Sequence, residues 1–187
     1  IFKNRKSIIN QREVGTDTHS FAQALKYILR QDPDVILIGE MRDLETIETA
    51  LVVAETGHLV FASLHTSDAV QTANRIVDIF PSHQQNQVRI QLSMELLAVF
   101  SQQLVPKASG SGRVLAMEIL VANHAVRSLI REQKMHQLYS VIQTGHKEGM
   151  KTMNQSLYEL YMNKVISLED ALARSNEPED LLRLVHH

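Results

Sequence analysis

The sequence has 187 residues, 44% apolar and 21% charged, a balance typical of globular proteins with one sizeable core and room for a small second domain. Nineteen lysines and arginines against twenty-one acids give a net charge of −2, so no general basic field favours nucleic acid. The sequence contains no cysteine, which excludes disulfides, thiolate zinc sites and a cysteine nucleophile.

Strand and helix patterns alternate through the first part of the sequence. In chain order they predict β-structure at 7–14, a helix at 19–31, a strand at 35–38, a helix at 43–56, a strand at 58–65 and a helix at 67–80. Asp32-Pro33 ends the first helix, because a residue before proline is disfavoured in the α conformation. The strand Val35–Ile38 is entirely apolar, which is typical of a parallel strand covered on both faces. This alternation predicts an α/β fold with a parallel sheet.

The second part of the sequence is mainly helical. We expect a long helix at 83–104, then a loop and a strand at 113–120. After Val121 the patterns predict helices only, at 123–133, 134–144, 152–164, 167–175 and 177–185. We therefore expect a sheet domain over residues 1–122 and a small all-helical domain over residues 123–187.

The end of the first apolar strand carries the main candidate for chemistry. The sequence passes through Gly39 to Glu40, and a carboxylate at a buried strand end is costly unless it faces a ligand. His65 ends the next strand, and ligands of parallel sheets bind beyond the carboxyl ends of the strands. A carboxylate there can polarise a water for attack on a γ-phosphate, and an imidazole can hold that phosphate. The alternative is that Glu40 caps the following helix and His65 is a turn residue.

Three further residues are weaker candidates. His58 follows Gly57 and is either a strand-entry residue or a second site histidine. Arg30 and Arg42 flank the strand that leads to Glu40, where arginine pairs locally or reaches a phosphate; local pairing is the favoured interpretation. The histidines lack the i, i+4 spacing of helical metal ligands, so we expect no direct metal ligand in this chain.

A phosphate-binding loop of the form G-x-x-x-x-G-K-[ST] is absent from the sequence. The nearest match, GHKEGMKT at 145–152, has Met150 in place of the second glycine and follows a predicted helix instead of a strand. Only glycine lets the backbone approach a phosphate so closely. We therefore interpret this segment as a joint between helices.

Two segments together resemble the secretion ATPase superfamily, the hexameric motors of type II secretion and type IV pili. LRQDPDVILIGEMRDLETIETAL resembles the Walker B region of that family, in which Gly-Glu replaces Asp-Glu, and TGHLVFASLHT resembles its histidine box. The resemblance implies that Glu40 is the catalytic carboxylate and that His58 and His65 belong to the histidine box and sense the nucleotide. Arg30 and Arg42 stay phosphate-proximal candidates from their positions alone. It also implies a RecA-like core, ATP and Mg²⁺.

Other segments are similar to one subfamily, the pilus retraction ATPases of the PilT family. AVRSLIRE closely resembles their AIRNLIRE motif, GMKTMNQSLYELYMNKVISLEDALARS is similar to their C-terminal end, and no four-cysteine loop of the assembly and secretion members is present. Gln103 is a departure, since the family commonly has arginine there. The resemblance implies a role in coupling hydrolysis to motion for Ala125, Val126, Arg127, Ser128, Leu129, Ile130, Arg131 and Glu132.

The resemblance implies that the parent protein is a homohexameric ATPase that drives pilus retraction and twitching motility. Its implied location is the cytoplasmic face of the bacterial inner membrane, peripheral and not inserted, with the inner-membrane platform protein, the pilus machinery and neighbouring subunits as partners and no nucleic acid. The sequence is expected to be a fragment, inactive alone because its phosphate-binding loop lies upstream. The alternatives are a type II secretion or pilus-assembly ATPase, and a non-hydrolysing regulatory subunit of the same fold.

Overall fold

The structure is a computed structural model that describes residues 2–186. It divides into two compact units, an N-terminal unit that ends at Leu64 and a C-terminal unit that begins at His65. Within the described residues, no helix is long and apolar enough to cross a membrane.

The N-terminal unit contains two helices and two strands. In chain order they are α1 (Phe21–Ile28), β1 (Val35–Ile38), α2 (Leu44–Glu55) and β2 (Leu59–Ala62). A 3-10 turn extends α1 as far as Gln31, and Asp32 then takes a left-handed conformation with φ of 51°. The predicted β-structure at 7–14 is wrong: these exposed residues form no strand, and a single bridge pairs Val14 with Thr18.

The sheet of the N-terminal unit is parallel, as the alternation of elements predicts. Strands β1 and β2 pair in register from Val35 opposite Leu59 to Ile38 opposite Ala62. Its two faces differ, because Ile36 and Ile38 are buried whereas Val35 and Leu37 are 54% and 67% exposed. Within the described residues only one face of β1 is covered, and the expectation that both faces are covered stays a prediction. An apolar run identifies a strand, but it does not show how many of its faces are covered.

In the described part of the chain, the C-terminal unit contains a long hairpin and seven α-helices, some of which pack against it. Its elements are α3 (Ala69–Asp78), α4 (Ser82–Glu95), β3 (Ala98–Pro106), β4 (Arg113–Val121), α5 (His124–Arg131), α6 (Leu138–Thr144), α7 (Met153–Met162), α8 (Leu168–Arg174) and α9 (Pro178–His186). The prediction that only helices follow Val121 is confirmed among the described residues, and the α/β fold class with it.

The long helix predicted at 83–104 is wrong in its second half. Helix α4 ends at Glu95, Leu96 is extended, and β3 then pairs antiparallel with β4 along their full lengths. The turn between these strands places Gly110 and Gly112 at positive φ, where glycine is favoured. The hairpin is stabilised by hydrogen bonds between strands on either side of the turn. A prediction from the spacing of neighbouring residues does not include such pairing.

The last three helices pack on this hairpin. Val105 of β3 and Ala116 of β4 are completely buried, and they belong to one core cluster with residues of α7, α8 and α9 and the loop before α8: Met153, Leu157, Ile166, Ala171 and Leu181. The helical tail and the hairpin thus lie in the same compact unit. A domain boundary between residues 122 and 123 stays a prediction.

Candidate functional site

The segments that leave β1 and β2 are joined by hydrogen bonds. Met41 N–H donates to the carbonyl oxygen of Ser63 at 3.0 Å, and Ser63 Oγ donates to the carbonyl oxygen of Gly39 at 2.5 Å. Because β1 and β2 are parallel neighbours, their carboxyl ends lie side by side, as the site hypothesis requires. Glu40 follows β1 by two residues and is held at this edge of the sheet.

The side chain of Glu40 accepts a hydrogen bond from Arg42 Nε. The Glu40 side chain is 19% exposed and that of Arg42 is 73% exposed. This hydrogen bond and the adjacent negative charge raise the pKa of Arg42. Local pairing is therefore confirmed for Arg42. An exposed guanidinium can leave the carboxylate at little cost, because a solvent-exposed ion pair is weak.

The alternative in which Glu40 caps the following helix is wrong. Asp43 is the N-cap of α2, and its Oδ1 accepts the Thr46 N–H at 2.8 Å. Asp43, and not Glu40, is therefore the cap of this helix. Arg30 is exposed in the 3-10 turn that follows α1.

His58 lies between the end of α2 and the start of β2. Thr56 Oγ1 donates its single hydrogen to the carbonyl oxygen of Val53 at 2.7 Å, so in its 2.9 Å contact with His58 the ring Nδ1 is the donor. The ring is thus fixed at the end of a helix. This geometry supports the strand-entry interpretation of His58.

His65 is exposed and begins the C-terminal unit, three residues after the end of β2. It lines an open cleft of about 480 Å³ along α3 with Thr66, Gln71, Asn74, Arg75, Asp78 and Ile79. Four of these side chains follow the i, i+3, i+4, i+7 spacing of one helix face. The sequence analysis missed Arg75, although this spacing could have placed it beside His65. A common crevice for Glu40 and His65 stays a prediction.

Helix α5 carries the AVRSLIRE motif, and its apolar face is buried. Val126 and Ile130 have no exposed surface, and Leu129 is half-buried, as the spacing predicts. Arg131 and Glu132 at the end of the motif are exposed. Hydrogen bonds from Lys134 and Ser128 lower the pKa of Glu132.

Arg127 differs from the other charged residues of the motif. Its Nε donates to the carbonyl oxygen of Ala122 at 2.9 Å, and its Nη1 donates to that of Ser93 at 2.7 Å and also to that of Met94. The last two carbonyls belong to the final turn of α4. A cation that binds such carbonyls stabilises a helix C-terminus. Arg127 is therefore a structural residue, which the sequence analysis did not foresee.

The segment at 145–152 does not form a phosphate-binding loop. Residues His146–Glu148 form a 3-10 turn, and Met150 is 1% exposed. This segment is a joint between α6 and α7, as its sequence indicates. Among residues 2–186, no three histidine, aspartate or glutamate side chains gather into a possible metal site.

The chain is similar to proteins of pilus and secretion machines. Residues 5–173 match the family model "Type II/IV secretion system protein". The chain is 53% identical over 181 residues to a "Twitching motility protein" of Neisseria gonorrhoeae, covering 97% of this chain and 48% of that protein. It is 49% identical over 180 residues to the "Type IV pilus retractation ATPase PilT" of Pseudomonas aeruginosa, covering 96% and 52%.

A solved structure gives the same result. The crystal structure of the pilus retraction motor PilT with bound ADP superposes with a TM-score of 0.89 at 59% identity, over 98% of this chain and 51% of that one. The chain thus spans about half the length of these relatives.

Proposed function

Since this chain belongs to the type II/IV secretion system protein family, we propose that it is part of an ATP-hydrolysing motor that retracts type IV pili and so drives twitching motility. The observation that carries the proposal is the high identity, over nearly the whole chain, to relatives named for twitching motility and pilus retraction. The position of Glu40 at the carboxyl edge of a parallel sheet supports the chemistry.

In the proposed reaction, Glu40 orients a water molecule and accepts its proton as the water attacks the γ-phosphate. Arg42 holds this carboxylate before nucleotide binds and releases it afterwards. His65 contacts the phosphate from its place in the lining of an open cleft. Bound Mg²⁺ would neutralise charge on the phosphates. The described residues fit the roles of water activation and phosphate contact, whereas the cradle for the phosphates belongs to the rest of the motor.

The same proposal covers assembly and location. Six copies form a ring at the cytoplasmic face of the bacterial inner membrane, in contact with the platform protein and the pilus machinery. Residues 1–122 contribute the C-terminal part of a RecA-like core, and residues 123–187 form its helical domain. The exposure of Arg131 and Glu132 at the end of α5 supports a coupling role for these two residues. The net charge of −2 gives no support to a nucleic-acid partner.

The test is the substitution Glu40→Gln in the full-length motor. The amide keeps the shape of the side chain but accepts no proton, so we expect ATP binding to persist and turnover to fall by about a hundredfold or more. Glu48→Gln, at an exposed position of α2, is the control and should hydrolyse ATP normally. Turnover at the parental rate in Glu40→Gln would contradict the proposal.

A second measurement separates retraction from assembly. Cells that carry Glu40→Gln as their only copy should bear pili but fail to twitch, because pili form and are not withdrawn. Cells without pili would instead identify an assembly motor, and cells that keep both pili and twitching would be consistent with a secretion motor. Pilus number is counted by electron microscopy, and twitching is scored as the spread of colonies on agar.

A further inference from the structure

A buried carboxylate joins the N-termini of two helices in the C-terminal unit. Glu118 of β4 is 3% exposed. Its Oε1 accepts the Ala69 N–H at 2.9 Å, and its Oε2 accepts the Met153 N–H at 3.3 Å. Ala69 and Met153 are the first residues of α3 and α7. One side chain therefore completes the first turns of both helices.

The N-cap residues leave these two donors to Glu118. Asp68 accepts the Gln71 N–H at the start of α3, and Thr152 accepts the Gln155 N–H at the start of α7. The first N–H groups of a helix have no partner within it, and the positive end of the helix dipole favours an anion. Burial raises the pKa of Glu118, and the two backbone N–H groups oppose that effect.

The hydrogen bond between Glu118 and Ala69 at the start of α3 affects the position of His65. Only three residues separate His65 from Ala69, and within this segment Thr66 Oγ1 lies 2.7 Å from Thr72 Oγ1, a hydrogen bond that ties it to the second turn of α3. The place of His65 therefore depends on where the first turn of α3 lies. Glu118 of β4 fixes the position of this first turn through its hydrogen bond with Ala69.

The hydrogen bond between Glu118 and Met153 connects Glu118 to the core of the C-terminal helices. Met153 and Leu157 of α7 are buried in the cluster that also contains Val105 and Ala116 of the hairpin. The planar carboxylate of Glu118 thus connects two segments. One oxygen binds the start of α3, next to the segment that carries His65, and the other binds the first turn of α7.

We propose that Glu118 is a positioning residue for ATP hydrolysis, which holds the His65 segment in place and ties it to the start of the C-terminal helices. This inference rests on the proposed function, because it gives His65 a role at the phosphate. Glu118 itself touches no reacting atom; it acts through Ala69 and the first turn of α3.

A double-mutant cycle in the full-length motor tests the proposal. Glu118→Gln keeps one acceptor and turns an amide N–H toward the other helix, so we expect kcat to fall about tenfold with little change in KM for ATP. If Glu118 acts through His65, adding Glu118→Gln to His65→Ala should lower kcat no further. Glu159→Gln, an exposed carboxylate on α7, is the matched control and should retain the parental kcat.

Three outcomes would overturn the inference. They are a parental kcat in Glu118→Gln, independent and multiplicative effects of the two substitutions, and a parental kcat in His65→Ala. The first two outcomes leave the proposed function standing, because the Glu40→Gln experiment judges it separately. A parental kcat in His65→Ala would also remove the proposed contact of His65 with the phosphate, but not the role of Glu40. If Glu118→Gln is insoluble, Glu118→Asp replaces it, because aspartate keeps the charge but is one methylene too short to reach both helices.

Hydrogen exchange provides a readout that general destabilisation does not reproduce. Glu118→Gln should speed amide exchange about tenfold in residues 66–72 and 153–155, at the two anchored helix starts. Leu157→Ala, which removes core contacts of α7, should speed exchange in α7 and leave 66–72 unchanged. Equal acceleration throughout the C-terminal unit in Glu118→Gln would overturn the positioning role.

Discussion

Replacing Arg127 by alanine removes the guanidinium that closes the C-terminal end of α4. The side chain is half-buried and donates to the carbonyl oxygens of Ala122, Ser93 and Met94. Ser93 has no exposed surface, so its carbonyl oxygen cannot readily turn to water. A hydrogen bond from a charged group contributes about 1.5–3 kcal/mol, and a cation at a helix C-terminus adds about 0.3–1 kcal/mol. With partial solvent screening, we expect Arg127→Ala to lower the free energy of unfolding by about 2–4 kcal/mol.

Arg131 is the matched control within the same motif. It is exposed, and its contact with Ser93 Oγ is long at 3.5 Å, so Arg131→Ala should cost less than about 0.5 kcal/mol. Arg127→Lys keeps the charge without the planar fork and should lie between the two. Urea unfolding of the 187-residue chain, followed by circular dichroism, measures all three variants. Equal losses for Arg127→Ala and Arg131→Ala would refute the assignment of Arg127 to the end of α4.

Three further predictions follow from other contacts. Gly145→Ala should lower the free energy of unfolding by about 1–3 kcal/mol in the same assay. The added Cβ would lie 2.8 Å from the Met150 sulfur and 2.9 Å from the Val141 carbonyl oxygen. Gly39→Ala is the control, because a Cβ there meets no atom within 4 Å. Because burial raises the pKa of Glu118 above its ordinary 4.5, the stability that protonation gives is complete below that value and is lost as pH rises through the folded pKa. The stability of the parent relative to Glu118→Gln should therefore fall as the pH rises above about 4.5, and urea titrations that show no such trend would contradict this. Replacing Arg131 and Glu132 together by alanine should leave ATP turnover largely intact and abolish twitching; joint retention or joint loss of both activities would remove their coupling role.

Helix starts were predictable from the sequence, because a helix cap is a contact between near neighbours. Asp43 accepts the N–H of a residue three positions later, and Asp68 does the same. The end of α1 at Asp32 likewise follows from the proline beside it. Strand β3 was missed because its partner lies across a turn, and no window of neighbouring residues contains both strands.

In the candidate site, too, residues with partners close in the sequence were predictable and residues with distant partners were not. Glu40 was predictable because a carboxylate one glycine after an apolar run is unusual, and its ion pair with Arg42 joins residues two positions apart. The partners of Glu118 lie 49 and 35 residues away, and the α4 carbonyls bound by Arg127 lie 34 and 33 residues away. A single acid in an apolar strand was the available signal for Glu118. For Arg127, the resemblance marked the residue but not its contacts.

Glu118 and Arg127 together explain where the two proposed activities can be separated. Each binds helix ends instead of an opposite charge, a carboxylate at two N-termini and a guanidinium at one C-terminus. Helix α3 contacts α4, and α4 contacts α5. The segment that carries His65 is therefore connected to α5, which carries the AVRSLIRE motif, through a series of packed helices. Under the proposed function, we expect a displacement of α3 to reach α5 through these contacts, because closely packed side chains transmit strain. Removing Arg127 loosens that series and should impair hydrolysis and retraction together. Arg131 and Glu132 are exposed at the end of α5, so under the proposed function we expect their replacement to abolish retraction while hydrolysis continues.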